Sequence, residues 1–92
     1  MKVTVKGYGN MKRLLGAKST IELKDEANIR DLLLALGGKF SASKIAYLGG
    51  YKVEDSNMIV LVNGRNIHAL NGYETVLKEG DLITFAPVLI GG

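Results

Sequence analysis

The strongest constraint in this chain is one well-bounded amphipathic segment set among stretches that alternate. Ile29, Leu32, Leu33 and Leu36 fall at i, i+3, i+4 and i+7, which lays a single apolar face along a helix. Asn28 is a good N-cap for it, Asp31 answers three residues on and suits the helix dipole, and Gly37-Gly38 offers a stop. Upstream, Lys2 to Lys6 alternates with Val3 and Val5 inward, and Thr20 to Lys24 alternates with Ile21 and Leu23 inward. A short connection makes these an antiparallel, hairpin-like pair. Between them Asn10 to Gly16 reads as one or two helical turns, with Asn10 as N-cap and Gly16 as the end. Downstream, Met58 to Val62 is apolar throughout, the pattern of a central strand covered on both faces. Asn63-Gly64 is a tight-turn signal, and Asn66 to Leu70 reads as a short returning strand. Lys78 to Asp81 is another turn, and Leu82 to Ala86 is the last strand. Residues 39–57 carry less pattern. Ser43 to Leu48 reads as a second short helix closed by Gly49-Gly50, and Glu54 to Asn57 as a polar turn. Strands around one substantial helix give an α+β domain, with the helix packed on one sheet face.

Length and composition narrow the functional classes. The chain has 92 residues, 12 Gly and no Cys, so one core and one domain over residues 1–92 are expected. A thiolate nucleophile, a disulfide and a Cys-ligated metal are excluded. No apolar run approaches the roughly 18 residues needed to cross a bilayer, and Met1 to Lys6 alternates and carries charge, unlike a signal peptide. The expectation is a soluble, cytoplasmic protein with no membrane partner. The net charge of +3 is uneven: residues 1–24 hold six basic residues against Glu22. These are dispersed over a strand, a turn and a strand, and only 7% of the chain is aromatic. A solvated face fits them better than a nucleic-acid surface.

The usual catalytic groups are nearly missing. His68 is the one histidine, so no paired-His metal site is expected, and beside Ile67 and Ala69 it reads as structural. The carboxylates show no spacing that pairs two on one helix face. Gly37-Gly38 and Gly49-Gly50 match neither phosphate-binding pattern. The end of the chain stands apart. After Asp81 no charged side chain follows, and Leu82 to Ala86 leads through Pro87, Val88, Leu89 and Ile90 to Gly91-Gly92. Pro87 cannot donate to a sheet ladder and should end the strand. Val88, Leu89 and Ile90 need a dry place, and a partner groove is a natural one. Two glycines make a thin, permissive peptide. A partner enzyme could thread them into a narrow channel and activate the terminal carboxylate, for instance as an acyl-adenylate.

Taken with the element order, Tyr8, Leu14-Leu15-Gly16, the Asn28-led helix, Val60-Leu61-Val62-Asn63-Gly64-Arg65, Leu77-Lys78-Glu79-Gly80-Asp81 and Gly91-Gly92 resemble the MoaD/ThiS sulfur carriers. The resemblance covers nearly the whole chain, residues 39–57 least. It implies a β-grasp (ubiquitin-like) fold, a mixed sheet with one main helix packed on it, and a flexible C-terminal tail from about 87 to 92. It implies a carrier, no enzyme on its own, whose Gly92 an ATP-dependent adenylyltransferase of the MoeB/ThiF kind adenylates and whose carboxylate becomes a thiocarboxylate. Gly91 supplies the thin approach. No cofactor is bound and no metal is expected; ATP is used by the activating partner.

In the molybdopterin branch the tail, here Pro87, Val88, Leu89 and Ile90, inserts into a MoaE-like large subunit, and the carrier is the small subunit of molybdopterin synthase. The middle segment favours that branch. Val88 and Ile90 depart from it, since a second Pro and a smaller residue are common there. The ending Leu89-Ile90-Gly91-Gly92 leans toward ubiquitin-like modifiers, and a carrier for thiamine synthesis or tRNA thiolation is a further alternative. On the last strand Ile83 and Phe85 point inward. Leu82, Thr84 and Ala86 then share the other face with Val60 or Val62, covered either by a protein partner or by residues 39–57.

Overall fold

A computed structural model describes residues 1–53 and 57–88. Strand β1 (Lys2–Gly7) leads into the short helix α1 (Asn10–Leu15) and strand β2 (Ser19–Glu22), followed by helix α2 (Ile29–Ala35). Three short strands come next: β3 (Lys39–Phe40), β4 (Ala46–Leu48) and β5 (Tyr51–Lys52). The chain then forms β6 (Met58–Val62), β7 (Arg65–Asn66) and β8 (Leu82–Pro87), with single 3-10 turns at Ile67–Ala69 and Gly72–Glu74. The main sheet has the order β2-β1-β8-β6-β7, and β3-β4-β5 form a second, smaller sheet. β1 and β2 pair antiparallel, as their alternation and short connection imply, whereas β1 and β8 run parallel down the middle.

The α2 segment forms as its sequence dictates. The Asn28 side chain accepts from the Asp31 amide at 2.9 Å, and Asp31 Oδ2 accepts from the Asn28 amide at 3.0 Å, a reciprocal capping box. Ile29, Leu32 and Leu33 are fully buried against the sheet, and Leu36 packs at the margin. They meet Val3 and Val5 of β1, Ile83 and Phe85 of β8, and Val60 and Val62 of β6 in one core. α1 starts one residue differently from the sequence reading. Gly9 occupies the N-cap, no side chain caps the helix, and Asn10 is its first residue; Gly16 ends it, donating to the Lys12 carbonyl.

Three expectations are corrected. Ser43 to Leu48 is no helix. Ala46 and Leu48 alternate with Tyr47, burying one face of a strand, and Gly49-Gly50 joins Leu48 to Tyr51 as a two-residue hairpin turn. Both glycines have positive φ, 59° and 84°, which that turn requires and L side chains resist. Asn66 to Leu70 is not a strand. β7 ends at Asn66, whose side chain accepts from the His68 amide at 2.9 Å and starts a 3-10 turn instead. β6 is not covered on both faces. Met58, Val60 and Val62 are buried, while Ile59 and Leu61 are half-exposed. The polar turn read at Glu54 to Asn57 lies mostly outside the described residues, at 54–56.

The Asn-Gly and Gly-Asp signals turn out to be one fastening. Asn63 Nδ2 donates to Asp81 Oδ1 at 2.9 Å, Asn63 Oδ1 accepts from the Leu82 amide at 2.9 Å, and Asp81 Oδ2 accepts from the Lys78 amide at 2.8 Å. The turn after β6 is thereby locked to the entry of β8. This fixes the register that places Met58 opposite Pro87 at the far end.

Candidate functional site

The candidate site is the end of β8 and what surrounds it. Pro87 is the last residue of the strand, as a residue without an amide hydrogen should be. It is held from both sides. Met58 is its partner on β6, and the Val88 amide donates to the Asn57 carbonyl at 3.2 Å. On the other side the Tyr8 amide donates to the Phe85 carbonyl at 3.0 Å, which brings Gly9 beneath the proline ring. A Cβ at Gly9 would stand 2.9 Å from Pro87 Cγ, and Gly9 has φ 58° and ψ −130°, a conformation open to glycine. The sequence reading did not single out this glycine; its Tyr-Gly-Asn context carries no sign of a proline almost 80 positions later. Val88 is half-buried. Leu89, Ile90, Gly91 and Gly92, on which the chemical part of the reading falls, lie outside the described residues.

The strand's two faces divide as expected. Ile83 and Phe85 are fully buried, and Leu82, Thr84 and Ala86 are half-buried on the opposite face. Their neighbours differ from the expectation. Val60 and Val62 pair with Phe85 and Ile83 and so belong to the core face. Thr84 and Ala86 lie beside Leu61 and Ile59 of β6, and Leu82 and Thr84 beside Thr4 and Lys6 of β1. Because β6 is apolar at every position, its parity cannot be read from its sequence. Residues 39–57 do not cover this face where they are described. Ala46, Leu48 and Val53 pack into the core with α2, on the other side of the sheet. Half-exposed Ile59, Leu61, Leu82 and Ala86, with Thr84 among them, therefore form a mainly apolar surface that leads toward Pro87.

His68 is exposed on its 3-10 turn. Among the described residues, no three His, Asp or Glu side chains gather as a metal site would need. None of the helices there is long and apolar enough to cross a membrane.

Comparison with known proteins decides what this arrangement belongs to. The model of the ThiS family matches the chain from residue 5 to residue 92. The chain belongs to the ThiS family. Its membership fits a β-grasp, ubiquitin-like domain of the sulfur-carrier and modifier kind. Small archaeal modifier protein 3 of Haloferax volcanii is 28% identical over 97 residues, spanning the whole of both chains. The solution structure of small archaeal modifier protein 1 from Methanosarcina acetivorans superposes with a TM-score of 0.71 at 28% identity, covering 99% of this chain and 96% of that one. A candidate molybdopterin converting factor subunit 1 from Pyrococcus furiosus gives a TM-score of 0.69 at 26% identity, covering 97% and 99%. In this ThiS-family chain the described part of the site is a strand end clamped between Gly9 and Met58.

Proposed function

We propose that this protein is a sulfur carrier whose C-terminal glycine, Gly92, is the reacting group. An ATP-dependent adenylyltransferase joins the Gly92 carboxylate to AMP with release of pyrophosphate. Sulfur from a donor then replaces the AMP, leaving a thiocarboxylate. Gly91 keeps the approach thin, and Pro87, Val88, Leu89 and Ile90 form the segment that a partner's channel surrounds. The carrier itself binds no cofactor and no metal; ATP belongs to the activating partner. The destination we favour is the molybdopterin precursor, with this chain as small subunit to a MoaE-like large subunit that Leu82, Thr84 and Ala86 help to bind. The observation that carries the reading is the family match running through residue 92, behind a strand whose last residue is wedged at Pro87. Likeness to the Pyrococcus furiosus protein supports the molybdopterin destination. Incubating the protein with its adenylyltransferase, ATP and a sulfur donor should add the mass of sulfur for oxygen at the C-terminal peptide. Transfer that survives deletion of Gly92 would refute the reading.

A second destination has its own support. Relatives at 28% identity over essentially the full length are small archaeal modifiers, which favours an activated Gly92 that forms isopeptide bonds with lysines. Both readings share the adenylate. Peptides carrying a Gly-Gly remnant on lysine in cells would assign the modifier role, and loss of molybdopterin on deletion of the gene would assign the sulfur role.

A further inference from the structure

The acidic side chains among the described residues are sorted along the direction of the central strands. Every acidic side chain among the described residues sits at the end where β1 and β8 begin. Glu22 pairs with Lys2, Asp25 lies 3.6 Å from the Met1 amine with Glu26 following, and Glu79 accepts from the Lys2 amide at 3.0 Å. Asp31 and Glu74 gather at Asn28, and Asp81 leads into β8. The ion pairs Met1–Asp25 and Arg30–Glu74 belong to this end. At the opposite end, where β8 delivers Pro87, stand Lys12 and Arg13 of α1, which follows directly on Gly9, and Lys39 beside the hairpin glycines. Glu54 and Asp55 lie outside the described residues.

The basic end also exposes large apolar side chains. Leu14 is 45% exposed, Tyr51 43% and Tyr8 51%. Leu14 and Tyr51 are neighbours, and Tyr8 adjoins the end of β8, its amide donating to the Phe85 carbonyl. Leu14 lies against Gly49 at the tip of the β4–β5 hairpin, so closely that a Cβ there would collide with it. Leu14, Tyr51, Asn10 and Arg13 line a depression of about 200 Å³, room for one or two side chains. One residue before Asn10, Gly9 carries Pro87. On the far side of the hairpin tip a second depression of about 410 Å³ is bordered by Lys39 and Tyr47.

We propose that α1 and the tip of the β4–β5 hairpin form a docking surface for an acidic patch on the enzyme that activates the tail. That patch inserts an apolar side chain between Leu14 and Tyr51 and sets carboxylates against Lys12 and Arg13. The inference rests on the reading of the tail as that enzyme's substrate. The occupant is acidic because the rim is basic, and complementary charge steers encounter. It is a protein because an aliphatic Leu14 walls a depression of side-chain size; stacked bases need open aromatic faces along a basic track. This surface is separate from the apolar sheet face, so one carrier can engage two proteins through different sides while presenting the same tail.

The test uses the full chain and the ATP-dependent adenylyltransferase of the same organism. ATP–pyrophosphate exchange is followed as a function of carrier concentration for the parent, Lys12→Glu/Arg13→Glu and Leu14→Gln. Circular dichroism and melting confirm that each is folded. The charge reversal should raise KM at least about tenfold with kcat within about twofold, and the parent's KM should climb with salt while the variant's does not. Leu14→Gln should raise KM about fivefold. Unchanged KM in both variants overturns the surface. Calorimetric titration of the enzyme with a chain lacking Gly91-Gly92 separates the two ideas. Binding that Arg13→Glu weakens, with no exchange by the intact chain, would keep the docking surface and remove the tail reading. No binding at all would remove both. If Arg13→Glu instead abolishes binding of a single-stranded oligonucleotide and leaves KM alone, or if Leu14→Gln dissociates a dimer of this chain, the acidic-protein assignment is overturned.

Discussion

At Asp81 one carboxylate holds two loops together. Its oxygens accept from the Lys78 amide and from Asn63 Nδ2 at 2.8 and 2.9 Å, while Asn63 in turn secures the Leu82 amide. Asp81→Ala removes both acceptors and should lower the unfolding free energy by about 1–2 kcal/mol, read in urea titrations. Asp81→Asn, which keeps one carbonyl oxygen, should lose less. Gly9 is a second residue whose role is geometric. Its backbone lies where other residues strain, and any side chain meets Pro87 Cγ. Gly9→Ala should therefore destabilise by about 2 kcal/mol. It should also shift the amide resonances around Pro87 and Val88, which a purely local loss at the α1 cap would leave in place. Asp81 was legible as a turn residue because Gly-Asp before an apolar run marks a strand entry. Gly9 was not, because the constraint on it comes from a residue 78 positions away, and a single sequence does not display such contacts.

Among the elements, those with their own period were readable and those shaped by neighbours were not. α2 announced its stripe, its capping box and its glycine stop, and each is present. β1, β2 and β8 showed alternation or bounded apolar runs. Residues 39–53 misled because Ser, Lys and Ala admit a helix, and tertiary packing decides otherwise. Ala46, Leu48 and Val53 enter the core, while Arg30 fastens the segment from outside. The Arg30 guanidinium lies 4.6 Å from the centre of the Phe40 ring and donates to Glu74 Oε1 at 3.0 and 3.2 Å. Phe40 in turn meets Tyr73 edge-on at 5.7 Å, and the Tyr73 hydroxyl donates to the Val53 carbonyl at 2.6 Å. The ion pair is largely exposed and contributes little by itself; the stacked, hydrogen-bonded combination should be worth about 1 kcal/mol. Arg30→Ala should lose that amount and speed amide exchange in residues 39–53. Arg30→Lys should not restore it, since an ammonium offers no planar fork.

On the scale of the whole molecule, the sheet separates a buried face from a half-exposed one. One side carries α2, the second sheet and all the fully buried side chains of β8; the other leaves Leu82, Thr84 and Ala86 half-exposed beside Ile59, Leu61 and Lys6. A substitution confined to the outer side can therefore test recognition with little effect on the fold. Thr84 is the best position. It is central in β8, and its neighbour on β1 is Lys6, so Thr84→Glu gains a favourable cross-strand pairing that offsets the charge it brings to the surface. Its stability should change by less than about 1 kcal/mol. A partner that seats a mainly apolar face must then desolvate a carboxylate. Sulfur transfer to the precursor in the presence of a MoaE-like large subunit should show a KM raised by about tenfold or more. Adenylation of Gly92 should be affected less, because the docking surface assigned to the activating enzyme lies around α1 and the hairpin tip. The control is Phe85→Ala on the inner side, which should cost about 3–5 kcal/mol of stability. If Thr84→Glu leaves sulfur transfer at parent KM, the outer face is not where that subunit binds, and the tail alone must carry the recognition.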